Sequence, residues 1–569
     1  MKAGHKRFYF VFLLFFFLAG AILLRFFSLQ IKQHGFFEAL ADKQQDLSKE
    51  LASRRGEIYI QERNNLWHPL AVSRDFRTAY LVPKEVADAA AVAEQLAPLV
   101  GLPPEKIFEK LADEDDPYEP LKSKLDDETA ERISNLNLDG VHLQDENWRW
   151  YPQGALASHV LGFVGLKNEE KTGQYGLEQY YEKELAGQSG FLKSQKDALG
   201  HWLLMGDYDL ESAKDGDDLY LTLDQNIQYI VEQKMKELTE KWNAAGGCAI
   251  VMDPKTGAVK AMVSLPNFDP NNYKDVSSIG TFLNSCTQEV YEPGSVFKPI
   301  VVAAGLDTGK ISPQTTYVDE GSVQIGGYTI QNSQKKIYGL STMTNVLEKS
   351  INTGVIFIQR LIGGDVFRQY IEAFGFGELT GIDLTGEAGG NLDNVRKEKR
   401  EINFATATFG QGISATPLQM ISAMAAIAND GKLMKPYLVE KIVSPDGQEK
   451  ITEPEVVRQA ISTKSASQLT AMLVSTVRNG YDKIIKIKNY FIAGKTGTAQ
   501  IPNEDSLGYS ADETNHTFVG YAPAYNPQFI ILLKIEKPHG IEFASESLAP
   551  VFGELAQYLF NYYEIPPEE

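Results

Sequence analysis

The pattern of apolar and polar residues begins with a strongly apolar run at the N-terminus. Phe8–Leu24 carries no charge, follows the basic residues Lys2, Lys6 and Arg7, and is followed by Arg25. Such a run has about the minimum length of a membrane-spanning helix. Its small residues lie inside the run rather than after it, which favours an uncleaved anchor over a cleaved signal peptide. The excess of positive charge before the run predicts a cytoplasmic N-terminus, so the rest of the chain would lie outside.

A mixed polar and apolar region follows at residues 29–215. Leu29–Leu51 is predicted to continue the anchor as a helix, and Val86–Ala97 and Asp126–Leu136 are predicted as further helices. The acidic stretch Asp113–Asp116 is typical of a solvated loop. The pattern therefore predicts a separate region between the anchor and the C-terminal part.

From about Gly216 the pattern changes to short apolar strands and apolar helices. Helices are predicted at Leu418–Ile427 and Leu548–Tyr563, and a buried helix is predicted from Ser295 onward. Strands that join in one antiparallel sheet, with helices on its faces, indicate an α+β fold with two soluble domains. The predicted strands are Gly246–Pro254, Ala258–Ser264, Tyr490–Gly494, His516–Tyr521 and Gln528–Lys534.

Charge and composition argue against several function classes. The formal net charge of -20 disfavours a nucleic-acid partner. The eight histidines show no metal-ligand spacing, so we expect no metal and no cofactor, and His159 is predicted to form a structural hydrogen bond.

Cys248 and Cys286 are the only cysteines. Outside the membrane these two residues could form a disulfide bond, but because Cys248 lies in an apolar strand, it is predicted to be a small hydrophobic core residue.

The first candidate motif for catalysis is Ser295-Val-Phe-Lys298. It follows Pro293-Gly294, a pair of residues that interrupts regular secondary structure. A serine hydroxyl is a weak nucleophile and needs a base within hydrogen-bond reach. Positions i and i+3 share one face of a helix, so Lys298 would lie one turn above Ser295. A desolvated lysine loses its proton readily. The pattern therefore predicts Ser295 as a nucleophile and Lys298 as its base.

Two further motifs follow in chain order. Ser350-Ile-Asn352 places a hydroxyl and an amide two residues apart, and Lys495-Thr-Gly-Thr498 follows a predicted strand. Ser333-Gln-Lys-Lys336 also matches Ser-x-x-Lys, but it has polar neighbours and is taken as a chance match. A nucleotide-binding loop at Gly494-Lys495-Thr496 is rejected because Asn489 stands where that motif requires glycine.

In this order the three motifs resemble those of penicillin-binding proteins and serine β-lactamases. Over nearly its whole length the chain resembles a class B penicillin-binding protein, the monofunctional transpeptidase of bacterial cell-wall synthesis. The supporting segments include Arg55–Ile58, Arg149–Gly154, Ala157–Gly165, Gly410–Ile413 and Thr416–Gln419. The resemblance implies an anchor at residues 1–28, an elongated pedestal (dimerisation-type) domain at 29–215 and a transpeptidase domain at 216–569.

The resemblance also implies residue roles. Ser295, Lys298, Ser350, Asn352 and Lys495 would be catalytic, with the Ser350 hydroxyl relaying protons and the Asn352 amide holding substrate. Substrate would also be bound by the rest of the third motif, and the backbone N–H groups of two residues would form an oxyanion hole. The substrate-binding residues would be Thr496, Gly497 and Thr498, and the oxyanion residues Ser295 and Thr498.

The implied function is peptidoglycan cross-linking through a Ser295 acyl-enzyme, with inhibition by β-lactams. The implied location is the bacterial cytoplasmic membrane, single-pass, with the catalytic domain outside. The implied partners are stem peptides, a membrane glycosyltransferase and proteins of a division or elongation complex, with a weak lean towards division. A hydrolytic D,D-carboxypeptidase or β-lactamase and a non-catalytic β-lactam-binding wall protein remain alternatives.

Overall fold

The computed structural model describes residues 46–51, 53–113, 116, 118–167, 170–195, 209–397, 400–485, 487–503 and 508–568. These residues fall into two compact units. The smaller unit comprises the described parts of residues 1–54 and 186–216, and the larger comprises those of residues 55–185 and 217–569.

Strands and helices are numbered here separately in chain order. The strands are β1 (Asp46–Leu51), β2 (Ile58–Glu62), β3 (Leu66–Leu81), β4 (Glu119–Leu125), β5 (Val141–Trp150), β6 (Phe163–Lys167), β7 (Glu170–Gln174), β8 (Gly190–Gln195), β9 (Asp209–Glu211), β10 (Asp218–Asp224), β11 (Gly246–Met252), β12 (Val259–Leu265), β13 (Thr316–Asp319), β14 (Ser322–Ile325), β15 (Tyr328–Gln331), β16 (Gly339–Thr342), β17 (Lys432–Met434), β18 (Val439–Val443), β19 (Glu449–Ile451), β20 (Val456–Gln459), β21 (Ala493–Pro502), β22 (Tyr509–Ala522) and β23 (Phe529–Glu536). The helices are α1 (Ala89–Val100), α2 (Pro104–Lys110), α3 (Asp127–Asn135), α4 (Ser158–Leu161), α5 (Gly176–Tyr180), α6 (Glu182–Ala186), α7 (Gln225–Lys241), α8 (Lys298–Asp307), α9 (Met343–Glu348), α10 (Asn352–Ile362), α11 (Gly364–Ala373), α12 (Asp393–Arg396), α13 (Glu401–Ala407), α14 (Pro417–Ala428), α15 (Thr463–Gly480), α16 (Asp482–Ile485), α17 (Ala544–Ser547) and α18 (Ala549–Tyr562).

The smaller unit contains a three-stranded antiparallel sheet in the order β1-β8-β9. The predicted helix Leu29–Leu51 is therefore wrong at its C-terminal end, because Asp46–Leu51 is strand β1 and pairs with β8. Residues 29–45 lie outside the described part of the chain. Local spacing could not reveal this strand, since its hydrogen-bond partners lie far along the sequence.

The larger unit is organised around a five-stranded antiparallel sheet in the order β12-β11-β23-β22-β21. The prediction that the strands at Gly246–Pro254 and Ala258–Ser264 join the C-terminal strands in one antiparallel sheet is confirmed. The predicted strand at Tyr490–Gly494 begins later, at Ala493, so the third motif lies within β21 rather than after a strand. Strand β21 is at the end of this order, and one of its sides is therefore not paired within the sheet.

Helices cover both faces of this sheet. Along β11, Cys248 and Ile250 point into a core that includes Val301 of α8 and Met420 of α14. The alternate residue Ala249 points into a second core, which α7 and α18 line with Val231, Met235, Phe552 and Leu555. Because both faces are buried, β11 is continuously apolar, and the layering agrees with the predicted α+β class.

The helix predicted at Leu418–Ile427 is confirmed as α14, and its start has a local cause. The Thr416 hydroxyl accepts a hydrogen bond from the Gln419 backbone N–H, while the Gln419 side chain accepts one from the Thr416 N–H. This reciprocal cap satisfies two donors of the first turn, and Pro417 needs no donor there. The final predicted helix is also confirmed, as α18.

A second large sheet of seven strands has the order β19-β18-β10-β2-β3-β4, with β5 also paired to β3. Strand β10, which follows the predicted domain boundary at residue 216, pairs in parallel with β2 and antiparallel with β18. Helices α1, α2 and α3 pack a separate core against β3 and β4. The helices predicted at residues 86–97 and 126–136 are thus confirmed as α1 and α3, with shifted ends.

Residues 316–342 form two small hairpin-like sheets, which we call the arm. Strand β13 pairs with β16, and β14 pairs with β15. The arm ends where α9 begins, and α9 leads into the second motif. This connection places the arm next to Ser350-Ile-Asn352.

The two cysteines form a disulfide bond, which contradicts the predicted role of Cys248 as an unpaired core residue. The Cys248 and Cys286 Cα atoms are 5.5 Å apart and 38 residues apart in sequence. The segment before Cys286 folds back onto the sheet, where the Ser285 N–H donates to the Ser264 hydroxyl at 3.0 Å. The apolar setting of Cys248 was identified correctly, but the return of the chain depends on tertiary packing.

The predicted structural role of His159 agrees with its surroundings. The side chain is 5 % exposed, and its Nε2 lies 2.8 Å from the Thr281 carbonyl oxygen. Burial lowers the pKa of His159 to about 4, so the imidazole is neutral at pH 7.

Within the described ranges, no helix combines the length and apolar character needed to cross a membrane. The predicted anchor at Phe8–Leu24 lies outside those ranges.

Candidate active site

Ser295 lies in a tight turn at the start of a buried helix. Gly294–Phe297 forms a single 3₁₀ turn, and α8 continues directly from Lys298. Gly294 has φ +61°, and an added Cβ would lie 2.9 Å from Ala499 Cβ on β21. Glycine is therefore required both by the backbone conformation and by the close approach of the strand. The turn leaves Ser295 partly exposed at the surface of a cleft.

Lys298 is completely buried beneath this turn. Its Nζ donates to the Ser350 carbonyl oxygen at 2.5 Å, the Ser350 Oγ at 3.1 Å and the Asn352 Oδ1 at 2.8 Å. Burial, and secondarily the positive charge of Lys495, lowers the pKa of Lys298 well below its ordinary value. The first two motifs thus meet at one amine that loses its proton unusually easily.

Ser350 has a left-handed backbone with φ +53°. This conformation is uncommon for residues other than glycine and costs of order 1 kcal/mol. It accompanies the turn between α9 and α10, in which both the carbonyl and the hydroxyl of Ser350 reach Lys298. Backbone strain at this position is thus associated with two contacts to the buried amine.

The third motif lies on the edge strand β21. Lys495 is fully buried, and its Nζ donates to the Thr496 carbonyl oxygen at 3.1 Å. The Thr496 hydroxyl lies 2.7 Å from the Tyr481 hydroxyl, and the Thr498 hydroxyl accepts from the Ala544 N–H at 3.0 Å. These contacts orient both threonine side chains.

A single open cleft of about 750 Å³ connects the motifs. The residues that line it include Ser295, Ser350, Asn352, Thr496 and Thr498. The tertiary structure therefore brings the three predicted motifs together from positions two hundred residues apart. Ser295 supplies an alcohol, Lys298 a desolvated amine, and β21 an unpaired strand edge with two hydroxyls, which is a set suited to acyl transfer from a peptide.

Gly497 has a steric role that the sequence interpretation did not identify. The resemblance places Gly497 among the substrate-binding residues, where a missing side chain would let a ligand approach the backbone. An added Cβ would instead lie 3.0 Å from the Pro293 carbonyl oxygen and 3.1 Å from both the N and Cγ1 of Val296. The space beside Gly497 is thus occupied by the turn that carries Ser295.

We expect Gly497→Ala to push β21 away from the Ser295 turn. The overpacking should cost about 1–3 kcal/mol of unfolding free energy, and the misplaced strand should slow acylation by penicillin about 10-fold. Urea unfolding and labelling rates measure both effects. Gly480→Ala is the matched control, because its Cβ would come no closer than 3.9 Å to the Glu348 carbonyl oxygen. Unchanged labelling in Gly497→Ala would contradict this steric role.

The arm also contributes to the site, and no motif pointed to it. The Asn352 Nδ2 donates to the Gln331 carbonyl oxygen at 2.9 Å, and arm residues including Thr329 and Tyr338 line the cleft. A backbone acceptor leaves no trace in the residue type, so sequence reasoning had no signal for Gln331. Among the residues that the structure describes, no cluster of His, Cys, Asp or Glu could hold a metal ion.

Comparisons with known proteins agree with this geometry. Residues 247–557 match the penicillin-binding protein transpeptidase domain, and residues 50–221 match the penicillin-binding protein dimerisation domain. Stage V sporulation protein D of Bacillus subtilis is 32 % identical over 531 residues, which cover 91 % of this chain and 80 % of that protein. Peptidoglycan D,D-transpeptidase FtsI of Escherichia coli is 28 % identical over 513 residues, which cover 88 % and 83 %.

A solved structure extends the match. Penicillin-binding protein 3 of Mycobacterium tuberculosis, complexed with aztreonam, has a TM-score of 0.69 and 26 % identity. The alignment covers 91 % of this chain and 98 % of that one. The domain match spans more than half of the chain and includes all three motifs. This chain therefore belongs to the penicillin-binding protein transpeptidase family.

Proposed function

We propose that this protein is a peptidoglycan D,D-transpeptidase. One observation carries the proposal. The buried Lys298 lies one turn after Ser295 in the chain, and its amine forms hydrogen bonds with the side chains of Ser350 and Asn352. FtsI, a relative over most of this chain, is named for the same activity. The substrate would be a stem peptide ending in D-Ala-D-Ala, and β-lactams would acylate the same serine.

In the first step, neutral Lys298 accepts the Ser295 Oγ proton. The Oγ attacks the carbonyl carbon of the penultimate D-Ala and forms an ester, while the C–N bond to the terminal D-Ala breaks. The proton passes from Lys298 through the Ser350 hydroxyl to the leaving amine. Ser350 is suited to this relay because its Oγ is 3.1 Å from the Lys298 Nζ.

In the second step, an amine from a neighbouring stem peptide attacks the ester. A new amide bond forms, the bond to Ser295 breaks, and the amine proton returns to the Ser295 Oγ through Lys298. The backbone N–H groups of Ser295 and Thr498 would stabilise the oxyanion in both steps. Removal of one such donor typically costs about 3 kcal/mol of transition-state stabilisation.

Substrate binding is assigned to β21. Because β21 is an edge strand, its unpaired side can form backbone hydrogen bonds with an extended peptide. The hydroxyls of Thr496 and Thr498 would bind the terminal carboxylate, and Asn352 would hold the peptide backbone. Lys495 would supply positive charge for that carboxylate and lower the pKa of Lys298.

We further propose that Phe8–Leu24 anchors the protein in the bacterial cytoplasmic membrane as a single-pass helix, with the transpeptidase domain outside. The Cys248–Cys286 disulfide supports an extracytoplasmic location, because disulfides persist in oxidising compartments. The proposed partners are a membrane glycosyltransferase and proteins of a division or elongation complex. The apolar anchor and the pedestal domain would contact them.

A product analysis tests the proposed function. Purified full-length protein is incubated with a D-Ala-D-Ala stem peptide that carries a free side-chain amine, and separately with penicillin. We expect cross-linked dimers with one D-Ala released per new bond, and a long-lived penicillin adduct. Release of D-Ala without dimers would indicate a carboxypeptidase, and rapid penicillin hydrolysis a β-lactamase. A stable adduct without D-Ala release would indicate a non-catalytic wall protein.

A further inference from the structure

Asn352 is held from two sides. Its Oδ1 accepts from the Lys298 Nζ at 2.8 Å, and its Nδ2 donates to the Gln331 carbonyl oxygen at 2.9 Å. The position of Gln331 in the arm therefore helps to set the orientation of the Asn352 amide. It thereby also sets the position of the oxygen that accepts a hydrogen bond from Lys298, the proposed base. Gln331 is the last residue of β15 and is itself exposed. Within the arm, Gln331 lies opposite Ser322 of β14, and its position relative to α10 depends on how the arm is attached to that helix.

The next residue, Asn332, is 4 % exposed and is attached at both ends of its amide. Its Nδ2 donates to both carboxylate oxygens of Asp319, at 3.0 and 2.9 Å, and to the Lys336 carbonyl oxygen at 3.1 Å. Its Oδ1 accepts from the Thr353 backbone N–H at 3.2 Å. Asn332 thus connects the arm to the residue directly after Asn352.

Asp319 closes the connection from β13. The residue is 1 % exposed, and its carboxylate accepts from the Thr353 hydroxyl at 2.5 Å, the Tyr338 N–H at 2.7 Å and the Gly321 N–H at 3.1 Å. Burial raises the pKa of Asp319, but these hydrogen bonds and those of Asn332 offset that effect and hold the pKa below its ordinary value. A charged acceptor with several donors is among the stronger polar contacts in proteins.

We propose that Asp319 and Asn332 are positioning residues for the acyl-transfer site, fastening the arm to the start of α10 so that the Gln331 carbonyl orients the Asn352 amide against Lys298. This inference rests on the proposed function. Asp319 and Asn332 lie outside all three motifs, and they would affect catalysis by positioning Asn352 rather than by contacting the substrate.

The central test is a double-mutant cycle on the full-length chain with fluorescent penicillin. We expect Asp319→Asn to slow acylation about 10- to 100-fold, because small displacements of reacting groups cost rates of that size. In an Asn352→Ala background the same change should cost less than about 3-fold, because the residue through which Asp319 acts is already gone. Equal losses in both backgrounds, or no loss in the first, would overturn the inference.

A matched control separates this effect from a general change of charge. Glu320 is an exposed acid directly after Asp319, just past the end of β13, and Glu320→Gln should acylate at the wild-type rate. If Asp319→Asn fails to fold, Thr353→Val and Thr353→Ser replace it in the same cycle. The valine variant lacks the hydroxyl that donates to Asp319 and should lose rate, while the serine variant retains it and should recover most of the loss.

Hydrogen exchange provides a readout that does not require acylation. We expect Asp319→Asn to speed exchange at the amides of residues 331–338 and 352–355 at least about 10-fold, with little change elsewhere. Unchanged exchange there would overturn the fastening role, even if acylation fell. If wild-type protein were not acylated at all but exchange rose as expected, the proposed function would fail while the fastening of the arm stood.

Discussion

Replacement of Ser295 with alanine is expected to reduce covalent labelling by fluorescent penicillin at least about 10⁴-fold, because the acylated atom is removed. The side chain is partly exposed in the cleft, so the change should leave the core, and therefore the folding, intact. Labelling is measured by gel fluorescence after denaturation, which retains only covalent adducts. Release of D-Ala from a stem peptide should stop as well.

Ser333→Ala is the control for this experiment. Ser333 begins the chance match Ser333-Gln-Lys-Lys336 and is exposed on the arm at the same cleft. Loss of its hydroxyl should leave labelling at Ser295 in place. Persistent labelling of Ser295→Ala, or its loss only in Ser333→Ala, would refute the assignment of the nucleophile.

Replacement of Lys298 with arginine is expected to slow acylation about 10³-fold, which is within the usual contribution of a general base. Arginine can still donate hydrogen bonds, but its guanidinium does not lose a proton in the accessible pH range and so cannot act as the base. It is also larger than lysine and must fit a completely buried site. Lys298→Met, which lacks any base, should be at least as slow.

The role of Lys298 as a base also predicts how the acylation rate changes with pH. The neutral amine is the active form of Lys298, so the wild-type acylation rate should rise with pH through the pKa of Lys298 and then level off. Because burial and Lys495 lower that pKa, the plateau should begin well below the pH at which an ordinary lysine deprotonates. In Lys298→Arg this rise should disappear.

Stopped-flow acylation rates between pH 6 and pH 10 measure both effects. Lys310→Arg serves as the matched control, because Lys310 is an exposed lysine shortly after α8 and should leave rate and pH profile unchanged. A Lys298→Arg variant that retained more than about a tenth of the wild-type rate would show that another group acts as the base.

The local elements of the transpeptidase region were predictable because their signals are short-range. Apolar runs of strand length marked β11, β12 and β23, and Thr416-Pro-Leu-Gln419 contains both residues of the cap that begins α14. The order of the motifs identified Ser295, Lys298 and Lys495 as candidate catalytic residues, since each motif is only three or four residues long. Where partners are remote, as for β1, the same reasoning failed.

The sequence by itself thus determined the α+β class, the approximate positions of the five strands of the sheet that carries the third motif and of several helices, and the chemical groups of the candidate site. Only the tertiary structure decided that Lys298 meets Ser350 and Asn352, that Cys248 bonds to Cys286, and that Gly497 makes room for the Ser295 turn. The contact between the arm and Asn352 also depends on the tertiary structure. The physical reason is that each of these contacts joins segments far apart in the chain, so it depends on how helices and strands pack rather than on any local spacing.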